Sequence, residues 1–350
     1  MSRISEDTST QMLPANLFRG VRDKVHVRRL QKQLERVEDL IFENLNFASP
    51  IADTTAKYLA AAGGKRVRPL LTLLTSELGD GPSELIRNAA ASIELTHLAS
   101  LYHDDVMDEA TLRRGVPAVH KTWSNSVAIL AGDLLFARAS SLISGMGEEA
   151  ILLQTATFER LCLGQLHETI GPQAGDEPLQ HYMQVLADKT GALIASAAQM
   201  GVLLSGAPRE YADPVTIYGE KIGVAFQLVD DVLDLSDDKQ QTGKTAGTDI
   251  RAGVATLPML LLREHAINDS AAADLLRRID EGVQMIEGGA DPSILDVEVQ
   301  ELYAHEVTQE TQATAKRWAD DAVYSISSLP DTIVKDSLTA LAESIVNREG

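Results

Sequence analysis

Apolar residues recur at spacings of three and four along most of the chain, which is the period of an α-helix. One such stripe, on an otherwise charged segment, consists of Leu30, Leu34, Val37, Ile41 and Leu45. Other segments, such as residues 89–102, are apolar on most faces, as is typical of a helix that is buried on all sides. The pattern therefore predicts an all-α fold.

Segments rich in Gly, Pro, Asp and Ser separate the predicted helices. They occupy residues 77–83, 144–149, 171–178, 205–210 and 287–293. None is long enough for a domain linker, so we expect one helical domain over residues 23–350. Residues 1–22 are polar and aperiodic, and we expect a flexible N-terminal arm there. A longer polar segment, residues 237–253, is predicted to be a loop of the kind that closes over a site.

Composition narrows the possible partners and locations. The net charge of −20 in 350 residues argues against non-specific binding to nucleic acid or anionic lipid, because both require a surplus of Lys and Arg. Apolar runs such as residues 254–262 are much shorter than the roughly 20 residues of a membrane-spanning helix, so we expect at most peripheral membrane contact. The N-terminus lacks the apolar core of a signal peptide and Cys162 is the only cysteine, which predicts a cytoplasmic protein without an internal disulfide. We expect Cys162 to be buried in a helix.

Three aspartates follow the apolar segment 89–102. Asp104 and Asp108 lie one helical turn apart and share a face, with Asp105 at its edge. Two carboxylates about 6 Å apart repel by about 3 kcal/mol at an effective dielectric constant of about 20, so a cation is expected beside them. Mg²⁺ suits such a pair because it keeps several waters and bridges to substrate phosphates. A solvated acidic face is the alternative for a single cluster of this kind.

The same spacing occurs a second time, again after an apolar stretch, at Asp230, Asp231 and Asp234. Unpaired charge in an apolar helix is costly, so two copies are hard to explain as solvated surface. An EF-hand is excluded because neither copy has the alternating ligands and the glycine of that loop. We call Asp104, Asp105 and Asp108 the first aspartate cluster and Asp230, Asp231 and Asp234 the second. We expect the two clusters to face each other across a cavity in a helical bundle and to bind metal.

Two basic motifs accompany the aspartates. "GGKRVRP" at residues 63–69 has Lys65, Arg66 and Arg68 directly after paired glycines, where backbone amides and cationic side chains can receive phosphate oxygens. "LRRG" places Arg113 and Arg114 shortly after the first aspartate cluster. Together the acidic and basic motifs describe a site for two polyphosphates, one held through metal and the other held directly by Lys and Arg.

Five blocks, in this order, resemble the all-trans polyprenyl (isoprenyl) diphosphate synthase family. They are "GGKRVRP" (63–69), "LYHDDVMDEATLRRG" (101–115), "DKTGAL" (188–193), "FQLVDDVLD" (226–234) and "GKTAGTD" (243–249), and the resemblance extends over residues 30–348. It implies the isoprenoid synthase fold, a bundle of long helices around a deep central cavity, usually in a homodimer. It also implies an enzyme that condenses isopentenyl diphosphate with an allylic diphosphate.

The resemblance assigns roles to individual residues. It implies that the diphosphate of isopentenyl diphosphate binds to Lys65, Arg68, His97 and Arg114. It implies that the allylic primer and its leaving group are surrounded by Arg113, Lys189, Thr190, Gln227 and Lys244. The six aspartates would hold three Mg²⁺ ions, which neutralise the pyrophosphate as the allylic carbon–oxygen bond ionises. The double bond of isopentenyl diphosphate then attacks the allylic cation, and loss of a proton leaves a chain five carbons longer.

Two positions stand apart from this pattern. Where the family often has a lysine in "GKxTLP", this sequence reads "AGVATLP" with Val254 at that place, so one pyrophosphate contact is missing and Lys244 and Arg251 remain to serve. His103, directly before the first aspartate cluster, is expected only to make a local hydrogen bond.

Product length is expected to depend on the side chains that precede the first aspartate cluster on the same helix. In the family, bulky aromatics four or five residues before the cluster stop growth at short chains, whereas this sequence has Ala99 and Ser100 there. Thr96 and Ser92, further back on the helix, are also small. Because a helical turn rises about 5.4 Å, close to one extended isoprene unit, the predicted product is an all-trans chain of about C35 to C45, as needed for quinone side chains. Close helix packing is the alternative reason for the small residues, and Phe136 or Phe158 on neighbouring helices would then close the tunnel.

Other functions remain open at this point. A geranylgeranyl diphosphate synthase would make a shorter product, and Ala99 and Ser100 argue against it. A terpene cyclase shares the helical fold but normally lacks the second aspartate cluster and the basic residues for isopentenyl diphosphate. A non-catalytic subunit of a heteromeric synthase should have lost its aspartates, all six of which are present. A metal-binding scaffold without activity is the remaining alternative.

Overall fold

α-Helices make up nearly all of the regular structure in residues 23–236 and 246–347, the parts of the chain that the computed structural model describes. The first half contains α1 (Lys24–Asn44), α2 (Pro50–Ala61), α3 (Val67–Ser76), α4 (Glu84–Met107), α5 (Val119–Thr122), α6 (Asn125–Ile143) and α7 (Glu148–Ile170). The second half contains α8 (Pro178–Leu186), α9 (Ala192–Leu204), α10 (Ala212–Asp234), α11 (Thr248–Arg251), α12 (Leu257–His265), α13 (Ser270–Glu287), α14 (Asp296–Ala304), α15 (Glu306–Ser325) and α16 (Ile333–Val346). The all-α prediction is confirmed, whereas the predicted arm at 1–22 and Lys244 lie outside the described residues.

The helices end where the sequence predicts breaks. Residues 77–83 connect α3 to α4, and residues 171–177 connect α7 to α8. Ser83 caps the N-terminus of α4, because its hydroxyl accepts a hydrogen bond from the amide of Ile86 at 3.2 Å. Two 3₁₀ turns, Arg209–Tyr211 and Pro292–Leu295, begin within two of the other predicted breaks, 205–210 and 287–293.

A two-stranded hairpin is the one departure from the all-α prediction among the described residues. β1 (Leu112–Arg113) pairs antiparallel with β2 (Val116–Pro117). The two residues between the strands, Arg114 and Gly115, have φ angles of 53° and 77°, and positive φ at both positions is what a type I′ turn requires. The hairpin therefore fixes the directions of Arg113 and Arg114 just after the first aspartate cluster.

Most buried side chains belong to one core around α4. The predicted stripe on α1 is part of it, since Leu30, Leu34, Val37, Ile41 and Leu45 are at most 2% exposed. α4 packs against α1, α3, α6 and α9, which explains why its sequence is apolar on most faces. α9 also packs along α10, so it lies between the two helices that carry the aspartate clusters.

A smaller group of buried apolar residues joins the helices of the C-terminal third. It includes Leu262, Leu275, Ile279, Leu295 and Leu302, together with Ala246 and Ile250. The segment between residue 246 and the start of α12 is therefore anchored to this group through Ala246 and Ile250.

α6 is the one helix, within the described ranges, that is long and apolar enough to cross a membrane by length and composition. Counting uninterrupted apolar runs missed it, because Asp133 and Arg138 divide the helix. In the structure α6 packs on α4 and contributes to the main core, but Ile129 and Leu130 on its other side are exposed. Packing against α4 therefore explains the apolar residues on one face of α6, but not those on the exposed face.

The prediction that Cys162 is buried is wrong. Cys162 lies exposed on α7, next to Leu163 and on the same helix as the exposed Leu166 and Ile170. An apolar helix was assumed to pack inside the chain, whereas most of α7 is accessible in a single chain.

Candidate active site

Both aspartate clusters lie at the C-terminal end of a helix. The first ends α4, with Asp108 as the C-cap, and the second ends α10, whose last residue is Asp234. The C-terminal end of a helix carries a partial negative charge, so carboxylates there are unfavourable unless a cation is close. This position strengthens the case for metal binding beyond what the spacing alone provides.

In the first aspartate cluster, one carboxylate is buried and paired. Asp105 is 1% exposed, and the guanidinium of Arg113 on β1 donates to its Oδ1 at 2.6 Å. Asp105 Oδ2 is buried without a hydrogen-bond partner among the described residues. Burial raises the pKa of Asp104 to about 6, with Lys189 opposing the shift and Asp108 adding to it. A buried oxygen without a donor, beside a carboxyl group whose pKa is raised, fits a site that is completed by a cation.

The second aspartate cluster is held by donors from outside its own helix. Asp231 is 3% exposed, and its Oδ2 accepts hydrogen bonds from the hydroxyl of Tyr182 on α8 and from the amide of Leu257 at 3.2 Å. Burial raises the pKa of Asp231 to about 7, and the Tyr182 hydrogen bond opposes the shift. Asp234 Oδ2 accepts a hydrogen bond from the amide of Asp249 at 3.0 Å. The orientation of this cluster thus depends on three other segments of the chain.

Neither cluster is a closed metal cage. Within the described residues, three ligand atoms come within 4.8 Å of one another only at His265, Glu306 and Glu310, which lie on the surface. Open carboxylate clusters fit Mg²⁺, because this ion keeps several waters and shares substrate phosphate oxygens instead of using an all-protein cage.

Three partly buried basic side chains from three different motifs lie close together, and we call them the basic pocket: Arg68 of α3, His97 of α4 and Arg114 of the hairpin. Burial, followed by the charges of Arg68 and Arg114, holds the pKa of His97 well below its usual range. Arg68 Nε is buried without a hydrogen-bond partner in the part of the chain that is described. Arg114 Nη1 donates to the carbonyls of Leu59 (3.1 Å) and Gly63, which ties the hairpin to the "GGKRVRP" loop. A basic pocket with an unpartnered buried donor fits a polyanionic ligand.

Arg66 does not belong to this pocket, and the prediction that it receives phosphate oxygens is wrong. Its backbone is left-handed, with φ 50°, and its guanidinium turns into the core. Nη1 pairs with Glu94 at 2.7 Å, while Nε and Nη2 pair with Glu38 at 2.7 Å. Glu94 is itself only 2% exposed, so the pair is structural.

Lys189 and Thr190 lie in a π-helical turn, Ala187–Gly191, between α8 and α9. Such turns are rare and are frequent at functional sites. Thr190 Oγ1 donates to Gln227 Oε1 on α10 at 3.4 Å, and Lys189 Nζ pairs with Glu168 on α7. Three of the predicted primer contacts therefore lie in one region between α7 and α10.

Two glycines let α7 and α10 approach this turn. A Cβ atom at Gly223 would lie 2.6 Å from Gly191 Cα, and one at Gly164 would lie 2.7 Å from the backbone nitrogen of Lys189. Real Cβ atoms do not make such contacts, so any larger residue at either position would push the turn away.

The "GGKRVRP" loop also approaches the second aspartate cluster. Lys65 Nζ lies 5.2 Å from the centroid of the Phe226 ring, and Phe226 directly precedes Gln227. The loop, the hairpin, the π turn and α10 therefore meet, which brings together the predicted contacts for both diphosphates.

Two of the three guanidinium nitrogens of Arg251 are engaged by the protein itself. It is 9% exposed, its Nε donates to the carbonyl of Ala246 at 3.1 Å, and its Nη2 pairs with Asp296 at 2.7 Å. Its Nη1 is buried without a hydrogen-bond partner among the described residues, so the expectation that Arg251 serves the pyrophosphate stays a prediction. Val254 itself is exposed.

Comparison with known proteins agrees with this geometry. The sequence profile of the polyprenyl synthetase family matches residues 49–287. The chain belongs to the polyprenyl synthetase family. It is accordingly a prenyltransferase, and its all-α fold is the fold of its relatives.

Relatives of this polyprenyl synthetase cover nearly its whole length. It is 37% identical over 96% of its chain to the nonaprenyl diphosphate synthase of Mycobacterium tuberculosis, 99% of which is matched. It is 32% identical over 84% of its chain to heptaprenyl diphosphate synthase component 2 of Geobacillus stearothermophilus, with 89% of that protein matched. A solved structure of a geranylgeranyl pyrophosphate synthase from Corynebacterium glutamicum, complexed with calcium and isoprenyl diphosphate, has a TM-score of 0.80 at 36% identity, covering 93% of this chain and 98% of that one.

In this polyprenyl synthetase, two of the predicted chain-length residues line a cavity. Ser92 and Thr96 border a small internal space of about 10 Å³, whose other walls are Ile93, Ile143, Gln154, Thr157, Leu193, Ser196 and Met200. Ala99, one turn nearer the first aspartate cluster, is fully buried, and Ser100 is partly exposed.

Phe136 and Phe158, the two aromatic residues considered as a possible end of the tunnel, do not line this space. The rings of Phe136 and Phe158 pack on each other with centroids 4.5 Å apart, and neither lines the cavity. His103 Nε2 hydrogen-bonds the carbonyl of Ile129 at 3.0 Å, so its only described hydrogen bond is a structural one to α6.

Sequence reasoning missed the residues that hold this polyprenyl synthetase's site in place. Glu94 had a visible signal, since it is the one acidic residue in the apolar segment 89–102. Tyr182 and Glu168 had none, because their partners are 49 and 21 residues away in sequence.

Proposed function

We propose that this enzyme is an all-trans long-chain polyprenyl diphosphate synthase, which adds isopentenyl diphosphate to an allylic diphosphate. The observation that carries the proposal is that two chemically different groups of side chains, one acidic and one basic, lie in one region of the fold. The acidic group consists of the aspartate clusters at the ends of α4 and α10, and the basic group is the partly buried pocket of Arg68, His97 and Arg114. Such a site can bind two different diphosphates at once. The primer's diphosphate binds through metal ions, and the extender's diphosphate binds directly to basic side chains.

The extender, isopentenyl diphosphate, is proposed to bind to Lys65 and the basic pocket. The lowered pKa of His97 keeps its imidazole neutral at physiological pH, so it contributes hydrogen bonding and not further charge. Arg68 offers a buried Nε with no protein partner in the described chain, and a diphosphate oxygen would satisfy it.

The allylic primer is proposed to bind between the aspartate clusters, with Lys189, Thr190, Gln227, Arg113 and, outside the described residues, Lys244. Asp104, Asp108, Asp230 and Asp234 are partly or fully accessible, and Asp105 keeps one oxygen without a donor. Oδ2 of Asp231 already accepts from two donors, so this residue contributes through its other oxygen and through its charge. Mg²⁺, with three ions expected when both substrates bind, supplies the positive charge that the departing diphosphate requires.

The chain's own residues carry the remaining tasks. Lys189 and Arg113 hold positive charge at fixed positions beside the pyrophosphate that forms when the allylic carbon–oxygen bond ionises. The buried apolar faces of α4 and α9 keep water away from the allylic cation until the extender's double bond attacks it. Loss of a proton from the extender then restores a double bond, and no nucleophilic side chain is needed.

We propose a product of about C35 to C45, for which the small internal space lined by Ser92 and Thr96 widens toward the site as the chain grows, at roughly one isoprene unit per helical turn. Ile143 and Met200 are proposed as its floor, since Ile143 lies one turn beyond Ala139, whose carbonyl accepts the hydroxyl of Ser92. The names of the nonaprenyl and heptaprenyl relatives support a long product. A geranylgeranyl product is the alternative, which the Corynebacterium glutamicum relative keeps open.

We propose a homodimer. The exposed apolar residues of α6 and α7 form a surface that a second copy would cover: Ile129, Leu130, Leu152, Leu163, Leu166 and Ile170. The relative named component 2 makes a heteromeric assembly the alternative. Sedimentation of the purified chain alone separates the two, because a catalytically active dimer of this chain needs no second component. A cytoplasmic location, with at most peripheral membrane contact for product release, is also proposed.

The reaction is tested with purified protein, Mg²⁺, farnesyl or geranylgeranyl diphosphate and labelled isopentenyl diphosphate, with products sized by chromatography. We expect metal-dependent chains of about C35 to C45, and we expect Asp104→Asn to reduce turnover at least about 100-fold. Asp320→Asn, at an exposed position on α15, is the matched control and should behave as the unmodified protein. Absence of extension under all metal conditions would favour a non-catalytic subunit.

A further inference from the structure

The middle residues of the two aspartate clusters have different partners. Asp105 pairs with the guanidinium of Arg113, which compensates its charge. Asp231 accepts instead from the neutral hydroxyl of Tyr182 and from a backbone amide. These neutral donors fix the carboxylate of Asp231 in place, and none of its described hydrogen bonds comes from a cationic side chain.

The hydroxyl of Tyr182 donates a hydrogen bond to Asp231 from outside α10. It lies on α8, which ends directly before the π turn that carries Lys189, and it reaches α10 across the packing between these elements. The same Oδ2 of Asp231 accepts from Leu257, the first residue of α12. One carboxylate oxygen is thus fixed from two sides by two elements, neither of which belongs to its own helix.

Such fixation matters because the cluster would otherwise spread. Asp230, Asp231 and Asp234 lie in the last turns of α10, where their mutual repulsion and the helix dipole both favour side-chain orientations that point apart. A cation needs them in one arrangement before it binds, and every unrestrained side chain lowers its affinity.

We propose that Tyr182 is a positioning residue, which holds Asp231 through its hydroxyl and so sets the affinity of the second aspartate cluster for a divalent cation. The proposal rests on the proposed function, in which this cluster binds metal with the primer. The effect is expected to be specific to the metal and the primer, because the hydrogen bond that the described residues give Tyr182 goes to Asp231 and not to the basic pocket proposed for the extender.

Tyr182→Phe removes the hydroxyl and keeps the ring. Tyr218→Phe is the matched control, since Tyr218 is also a buried tyrosine, and its hydroxyl donates at 2.6 Å to the carbonyl of Leu338, away from the aspartates. Binding of Mn²⁺ with inorganic pyrophosphate is measured by the paramagnetic resonance signal of the free ion. The measurement is made in a background with Asp104→Asn and Asp108→Asn, so that the remaining binding reports on the second aspartate cluster.

We expect Tyr182→Phe to weaken Mn²⁺ binding roughly 10-fold and to raise the KM for the primer and the Mg²⁺ requirement, with the KM for isopentenyl diphosphate unchanged. Tyr218→Phe should change only the unfolding free energy. Mn²⁺ affinity equal to the background protein, or an equal loss in both variants, would overturn the proposal. If the unmodified protein extends no primer, the proposed function fails; if it is active and Tyr182→Phe binds metal normally, only the role of Tyr182 fails.

Discussion

Substitution of Phe at successive turns of α4 should shorten the product in steps. Ser92, Thr96 and Ala99 stand at positions i, i+4 and i+7, so they share one face of the helix. With a rise of 1.5 Å per residue, their Cα atoms are separated along the axis by about 6 Å and about 4.5 Å, which is about one isoprene unit each. A Phe at each position therefore places a barrier about one unit nearer the first aspartate cluster than the one before.

We expect Ser92→Phe to truncate the product least, Thr96→Phe to give a chain about five carbons shorter than Ser92→Phe, and Ala99→Phe a chain about ten carbons shorter. Each substitution inserts a ring into packed surroundings and should lower the unfolding free energy by about 1–3 kcal/mol. Ser92→Phe also removes the hydrogen bond from its hydroxyl to the carbonyl of Ala139. The first condensation should proceed at nearly the original rate, because the diphosphate contacts are unchanged.

The assay is product chromatography after incubation with farnesyl diphosphate, Mg²⁺ and labelled isopentenyl diphosphate, with urea unfolding of each variant. Ser270→Phe, at an exposed position that begins α13, is the control and should leave product length unchanged. Equal product lengths for the three variants, or a longer product from Ala99→Phe than from Ser92→Phe, would refute the assignment of this face of α4 to the growing chain.

Two further predictions concern buried charge. Arg66→Met leaves Glu94 buried without its partner and should lower the unfolding free energy by about 3–5 kcal/mol in urea, whereas Glu38→Gln, at the more exposed pair, should cost about 1 kcal/mol or less; equal effects would contradict the burial argument. Burial raises the pKa of Asp104 to about 6 and that of Asp231 to about 7, above the ordinary value of 3.8. Between pH 3.8 and these raised values, the metal-free native state binds more protons than the unfolded state. Its unfolding free energy should therefore fall as pH rises from about 4 to about 7. Mg²⁺ binding should release protons at pH 6 and none at pH 8.5, which calorimetry in buffers of different ionisation enthalpy measures.

The helices could be predicted from the sequence because their signals are local. The stripe on α1 and the Gly- and Pro-rich breaks each need only a few neighbouring residues, and both are as predicted. The hairpin could not be predicted by periodicity, since strands of two residues have no period. The exposure of Cys162 could not be predicted in this way. An apolar helix face does not always pack inside one chain, and the outer side of α7 is exposed.

The basic motif shows where local reasoning stops. Lys65, Arg66 and Arg68 are equivalent in composition, and only the left-handed backbone at Arg66 and the buried Glu94, 28 residues further along the chain, turn one of them into the core. The neighbouring glycines indicate a loop, but they do not indicate which cation faces the cavity.

The partners of the two aspartate clusters could not be predicted from local sequence either. Their spacing is identical, so the sequence predicts identical roles. The middle residues differ because of what folds against them: Asp105 meets Arg113 from a hairpin eight residues away, whereas Asp231 meets Tyr182 from 49 residues away. The middle residue of the first cluster is paired with a guanidinium and that of the second is held by a hydroxyl and a backbone amide, so the two clusters should bind divalent ions with unequal affinity. That inequality arises from tertiary contacts, and it is a property that no count of aspartates in the sequence can predict.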